Sequence, residues 1–503
     1  MRLFQISGDQ AIFLYDHASG ESPRVGDSYS IRETGSDQAL VVQIVALHTF
    51  DYPSLAEVLM RQIMEDSYGE NRVQTFAAPN NAPQVENLGQ AMGKIRRRIL
   101  PNGDWGIWNG YLPSRNVEIN RVSDDDLLRS CGLLEPSYPL NLGNTLDGRN
   151  FAIAGRRFEK INVITALKGM GKSHLAKVII LELTRQGMVS VVFDINREYN
   201  GLPPLTVEDN QVSNPGTRIL TASQNFRVTI ESFGRRGFIR LFDHYTPTET
   251  TRNLFETRVN ESFDQLDQLD LANRQAPAER QRPRPFFNID HIRGLFPANR
   301  TNEHVRNAIM DRLEQIEGLH LFAVNRDESS SFDEAYALCA QRGGTLVIDL
   351  APLTSKFARE TFVGATLDMV ERVAQTSPRL PFVFFEEAHL YASGDRIDNL
   401  VTRARHLGIT STFVTNMVTQ LNETVLRQVD NLFLLYLPHK DDVKHVAKSA
   451  TTDEETVSAF AQRIEQHHAM VVGAATGNYP LVFRVATPEG INMAGQTKYA
   501  FPE

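Results

Sequence analysis

The alternation of apolar and polar positions changes character twice along the chain. Up to about residue 140, short apolar runs are broken by turn residues. Ala11 to Tyr15 and Gln38 to Leu47 read as strands, and Gly20 and Gly26-Asp27 as turns. Leu55, Val58, Leu59 and Ile63 share one helical face, and Ala78 to Pro83 reads as a loop. Trp105 to Tyr111 sets aromatics between glycines, as strands and tight turns do. Together these predict a β-rich, barrel-like domain with its linker over 1–149.

From Phe151 the runs become fully apolar. Ile161 to Ala166 is a short buried strand, Gly169 to Lys172 a glycine-rich turn, Ser173 to Gln186 a helix, and Val189 to Asp194 a second strand. Strand, loop, helix and strand are the βαβ signature of a parallel sheet. This predicts the first part of an α/β core over 150–239. A helical insertion is predicted over 240–335, with helices at Phe255 to Leu271 and Asn302 to Glu317 around a proline-broken loop, Ala276 to Pro285. The second part of the core follows over 336–503. Its strands are predicted at Thr345 to Leu350, Pro381 to Phe385, Thr410 to Val414 and Asn431 to Leu437, with a helix at Arg359 to Ala374. Ala469 to Gly473 and Leu481 to Val485 are late strand-like runs. No internal repeat is visible.

Composition narrows the class. With 503 residues, 41% hydrophobic and 22% charged, the chain has the profile of a globular protein of several domains. Two distant cysteines, Cys131 and Cys339, exclude a disulfide framework and a cysteine metal site. No leader-like start and no apolar run of spanning length is seen, so a cytoplasmic location without membrane contact is expected. The net charge of −9 does not advertise nucleic-acid binding. A DNA partner would require basic groups gathered locally.

The turn after the first core strand carries the chemistry. Ala166-Leu167-Lys168-Gly169-Met170-Gly171-Lys172-Ser173 ends as a G-K-[ST] phosphate loop does, with Ala166 in place of the first glycine. Glycines let backbone N–H groups curl around phosphate, and the following helix offers unpaired N–H groups and the positive end of its dipole. Lys168, Gly169, Met170, Gly171, Lys172, Ser173 and His174 are the candidate nucleotide-binding residues. Lys172 would reach the β- and γ-phosphates of ATP, and Ser173 would give its hydroxyl to Mg²⁺.

A second constellation, Phe384-Phe385-Glu386-Glu387-Ala388-His389, ends an apolar strand in two carboxylates. At the carboxyl end of a parallel strand they face the same crevice as the loop. Glu386 is the candidate metal-shell residue, with Ser173, and Glu387 the candidate base that polarises water. His389 has two readings: a ring that orients Glu386 or touches phosphate, or a histidine without a role. Asn196 and Glu198, after the second strand, could hold water or the metal shell, or form an ordinary polar turn. Asp290-His291 reads as a polar surface pair. Arg403 and Arg405 read either as a surface pair or as the source of a finger into a neighbour's ATP site.

These segments, in this order, resemble the HerA-type DNA translocases within the class that includes the FtsK-like motors. The matching pieces are the β-rich start, ALKGMGKS, DINREY, the helical insertion, VIDL, FVFFEEAH, RARHLG and FVTNM. The resemblance implies an α/β, P-loop RecA-like ATPase core with an amino-terminal small β-barrel domain. It implies a homo-hexamer with double-stranded DNA in its channel and ATP sites between subunits. It makes Glu387 the catalytic base and Arg405 the finger in trans. Arg197 stands where the family has glycine, and Asn416, a candidate catalytic residue, where relatives have glutamine. Such motors work beside a separate nuclease or anti-phage effector, here expected to dock on the amino-terminal domain. The alternative is a nucleotide-switched ring scaffold that assembles and regulates an effector.

Overall fold

The computed structural model describes residues 1–16, 22–49, 88–114, 117–328, 332–391, 402, 406–421, 423–448 and 453–493. The helix expected at 55–64, the loop at 78–83, Gly20, Arg403 and Arg405 lie outside the described residues.

The amino-terminal strands are β1 (Arg2–Ser7), β2 (Gln10–Asp16), β3 (Ser28–Glu33), β4 (Ala39–Thr49), β5 (Leu88–Ile99), β6 (Trp105–Gly106) and β7 (Val117–Arg121). They form an antiparallel sheet in the order β1-β2-β5-β4-β3-β7, with β6 beside β5. Among the described residues no ladder joins β1 to β7, so where a barrel was expected the sheet is an open half-barrel.

The large sheet is built from β8 (Pro139–Thr145), β9 (Asn150–Ala154), β10 (Ile161–Thr165) and β11 (Val189–Asp194). After a small hairpin of β12 (Thr206–Glu208) and β13 (Gln211–Asn214) come β14 (Thr217–Thr221), β15 (Gly344–Asp349), β16 (Pro381–Glu386), β17 (Thr410–Thr415), β18 (Asn431–Leu434), β19 (His468–Gly473) and β20 (Leu481–Val485). Its order is β14-β15-β11-β16-β17-β10-β18-β19-β20-β8-β9. From β14 to β18 neighbours are parallel, and from β18 to β9 they are antiparallel. The boundary expected at 149 falls in the turn between β8 and β9, and both strands extend this sheet.

Every residue of β10, β11, β15, β16 and β17 is buried. Cover on both faces is why these strands read as unbroken apolar runs. Alternate side chains enter opposite layers. On one face Phe385 stacks between Phe193 and Phe413, at 5.4 and 4.9 Å. On the other, Phe382 and Phe384 lie 6.2 and 6.4 Å from Phe158, beside the helix Lys172–Arg185.

Between β14 and β15 the chain leaves the sheet for the helical insertion. Its longest helix, Glu249–Gln275, starts where the Thr248 side chain accepts from the Thr251 amide. Phe255, Val259, Phe263 and Leu266 form its buried stripe, and Pro277 follows its end. Asp290 and His291 do not form a surface pair. Asp290 pairs with Arg293, while the His291 ring lies on Phe287 at 4.2 Å and meets Ser262 Oγ at 3.2 Å.

A polar clamp holds the half-barrel to the core. Lys94 and Arg96 of β5 reach Glu455 at 2.8 Å and Asp453 at 3.2 Å, at the start of the helix Glu454–Ala461. Gln43 donates to the Pro480 carbonyl at 2.7 Å, and Ser28 meets the Tyr479 hydroxyl at 2.7 Å. No helix among the described residues is long and apolar enough to cross a membrane.

Candidate active site

Strand order assembles the site. β17 lies between β10 and β16, and all three are parallel, so their carboxyl ends open on one edge of the sheet. The end of β10 carries the glycine-rich loop, the end of β17 Asn416 and the end of β16 the Glu386-Glu387 pair.

The loop leaves β10 at Ala166, which is fully buried and does not adopt the left-handed backbone. Its methyl packs in the core, so alanine fits this position. Gly169 and Gly171 have φ of +82° and +98°, conformations that disfavour a side chain. The Leu167 amide donates to the Tyr436 carbonyl at 2.8 Å and the Leu435 amide to the Thr165 carbonyl at 3.0 Å, anchoring the loop to the chain after β18. The helix begins at Lys172 with no side-chain cap, and its first internal bond runs from the Leu175 amide to the Gly171 carbonyl. The amides of Lys172, Ser173 and His174 therefore have no acceptor within the helix and form an anion cradle. Lys168 and Gly169 are exposed beside it, and Met170 packs partly on the core. The His174 ring points elsewhere: its Nε2 meets the Ala486 carbonyl at 2.7 Å. Lys172 is only 6% exposed, and burial pulls its pKa down against the nearby Glu387, Glu386 and Glu198.

Glu386 is buried, and both its oxygens are engaged. Ser173 Oγ donates to Oε1 at 2.7 Å and Tyr199 Oη to Oε2 at 2.5 Å. Burial pushes its pKa up to about 7; the two hydrogen bonds oppose this, and Asp194 and Glu387 add to it. Tyr391 Oη donates to the Glu386 carbonyl at 2.7 Å and fixes the strand end. Glu387 then adopts φ of +48°, which ends the strand and frees its carboxylate for a different partner. Its Oε2 has no hydrogen bond; His389 Nδ1 lies 3.5 Å away, at ion-pair distance, and 3.1 Å from Thr415 Oγ1. His389 thus faces Glu387 and β17 rather than Glu386. Asn416 Oδ1 is likewise buried without a partner.

The turn after β11 supplies what the sequence reading missed. Asp194 accepts from the amides of Asn196, Glu198 and Tyr199 at 3.1, 3.2 and 3.0 Å. That turn aims Tyr199 at Glu386. Burial pushes Asp194 up to about 6 in spite of these amides. Arg197 takes φ of +59°, the left-handed backbone a glycine would adopt freely, and its Nε reaches Asp349 at 2.9 Å. Glu198 Oε2 is 3.9 Å from Lys177 Nζ, so its side chain faces the phosphate-loop helix.

The residues present fit a magnesium nucleotide. Ser173 Oγ and Glu386 Oε1 are adjacent hard oxygen donors, and Mg²⁺ normally keeps several waters beside one or two such ligands. The uncapped amides and Lys172 fit phosphate, and the unpartnered Glu387 and Asn416 oxygens fit an oriented water.

Part of the chain resembles a known family. The family model described as helicase HerA, central domain, matches residues 155–370, from the approach to the phosphate loop through the insertion. Over these residues the chain resembles the HerA family of P-loop ATPases. A probable helicase of Methanocaldococcus jannaschii is 22% identical to this chain over 495 residues, covering 90% of this chain and 84% of the relative. Among solved structures, VirB4 of Thermoanaerobacter pseudethanolicus gives a TM-score of 0.48 at 13% identity, over 70% of this chain and 96% of that one. The bacterial conjugative coupling protein TrwB, in a sulphate complex, gives 0.46 at 13% identity, over 73% and 92%.

Proposed function

We propose that this chain is a HerA-type ATPase, a homo-hexameric, cytoplasmic motor that hydrolyses ATP with Mg²⁺ to translocate double-stranded DNA. It would serve a separate nuclease or effector, docked on the amino-terminal domain, in DNA end processing or anti-phage defence. The family match supports the motor class. The observation that carries the catalytic part is the contact of Ser173 with Glu386 at 2.7 Å, which joins the phosphate loop to the acid-tipped strand in one crevice.

In this reading the loop amides and Lys172 bind the triphosphate and position it. Ser173 and Glu386 would hold Mg²⁺, which would supply charge neutralisation on the triphosphate. Glu387 orients the attacking water and takes its proton, with His389 bracing the carboxylate from the side of β17. Asn416 completes the hydrogen bonding of that water or the γ-phosphate. Arg405 enters from the neighbouring subunit as a finger, which makes hydrolysis depend on assembly.

The test is ATP hydrolysis by purified oligomer with and without linear duplex DNA. A motor is stimulated by the duplex. Hydrolysis that ignores DNA but responds to an effector protein favours the ring scaffold and contradicts the motor.

A further inference from the structure

The chain carries a net charge of −9, yet one segment of the helical insertion has the opposite sign. Residues 274–286 hold four arginines, Arg274, Arg280, Arg282 and Arg284, and a single acid, Glu279. All four arginines are exposed. We propose that this arginine loop is a phosphate-backbone contact through which the insertion grips duplex DNA. The proposal rests on the motor reading and names the DNA-contact surface for it.

The loop is held in place rather than loose. The Asn273 side chain, at the end of the long helix, donates to the Arg282 carbonyl at 2.8 Å and accepts from its amide at 2.9 Å. Arg284 pairs with Asp270 at 2.8 Å, and Arg326 donates to the Arg284 carbonyl while its guanidinium lies over the Phe286 ring at 5.7 Å. A proline follows both Arg282 and Arg284, which biases each away from helix and keeps the arginines spread along an extended backbone. Among the described residues, the side chains of Arg274, Arg280 and Arg282 have no hydrogen-bond partner.

Phosphate is the ligand class that this chemistry favours. Arginine presents a planar fork matched to phosphate oxygens and is less strongly hydrated than lysine. A protein partner would instead need an apolar centre, and the patch exposes one large apolar side chain, Leu271. The salt bridge of Arg284 to Asp270 leaves that arginine partly neutralised, so Arg280 and Arg282 carry most of the free charge.

The experiment measures duplex binding by the full chain, by fluorescence anisotropy across a range of salt with a non-hydrolysable ATP analogue. It compares wild type, Arg280→Glu/Arg282→Glu, the milder Arg280→Gln/Arg282→Gln, and an equal charge change elsewhere, Arg300→Glu/Lys440→Glu. Circular dichroism and thermal unfolding check folding. Loss of two phosphate contacts should weaken binding at least about tenfold and lower the slope of log affinity against log salt by about 2, in both loop variants. Unchanged DNA affinity in the loop variants, or an equal loss in the Arg300→Glu/Lys440→Glu control, overturns the proposal while leaving the motor intact. A wild type that neither binds duplex nor is stimulated by it overturns the motor reading and this proposal together.

Discussion

Tyr199 donates a 2.5 Å hydrogen bond to Glu386, and both side chains are buried. The hydroxyl occupies one carboxylate oxygen and leaves the other for Ser173. In sequence they are 187 residues apart, so the bond ties the turn after β11 to the end of β16.

Tyr199→Phe should therefore cost about 1–3 kcal/mol of stability, because a buried acceptor loses its donor. ATP turnover should fall about tenfold or more as the Glu386 carboxylate loses its fixed orientation. Denaturant unfolding and steady-state kinetics check this. A variant as stable and as active as wild type would remove Tyr199 from the site.

The raised pKa of Glu386, about 7 against an ordinary 4.5, means that the folded protein holds this proton more tightly than the unfolded chain. The stability it contributes is full below about 4.5 and is lost as pH rises through about 7. Asp194, about 6 against 3.8, acts with the same sign. A metal ligand must be deprotonated, so Mg²⁺–nucleotide binding should release a proton below pH 7 and tighten as pH rises toward that value. Calorimetry in buffers of different ionisation enthalpy measures the proton count. Glu386→Gln should abolish the release, and a release unchanged by that substitution would contradict the assignment.

Lys172 is buried and its charge is disfavoured there. Lys172→Met should then stabilise the nucleotide-free protein, by on the order of 1 kcal/mol. It should also abolish productive ATP binding. In a thermal-shift experiment wild type starts lower and rises on adding Mg²⁺–ATP, by an amount set by saturation. The variant should start higher and not move. Tight ATP binding by the variant would contradict the role of Lys172.

A shared site makes a separate claim about Arg405. Arg405→Ala should leave folding intact and lower hydrolysis by about 10³-fold or more, the usual scale for an arginine finger. Mixing Arg405→Ala subunits with Glu387→Gln subunits should recover part of the turnover, because some interfaces then hold both intact groups. No recovery in mixed rings would place both groups in the same subunit's site.

Much of the core was legible because strands covered on both faces leave an unmistakable apolar signature. Ile161–Thr165, Val189–Asp194 and Pro381–Glu386 appear within a residue of where the pattern put them. The pieces of the candidate site were legible for a related reason: strand ends followed by Gly-Lys-Ser or by paired acids are local signals. Tyr199 lay in a segment already singled out, but nothing nearby in sequence announces a partner 187 residues away. The ring of His389 was similarly ambiguous until β17 placed Thr415 beside it. Periodicity also cannot say which sheet a strand joins. β8 and β9 look like the short strands before them, and only their pairing through β20 assigns them to the core. The half-barrel's docking was hidden in Lys94 and Arg96, basic residues inside a strand whose acidic partners on the core come 357 or more residues later.

In the proposed site the loop at Lys172 and the acids at 386–387 act on one triphosphate. The most direct measurement is single-turnover ATP hydrolysis by Glu387→Gln, beside equilibrium nucleotide binding by the same protein. The account predicts ATP affinity close to wild type with hydrolysis slowed by about 10²-fold or more. Wild-type hydrolysis by Glu387→Gln would contradict it.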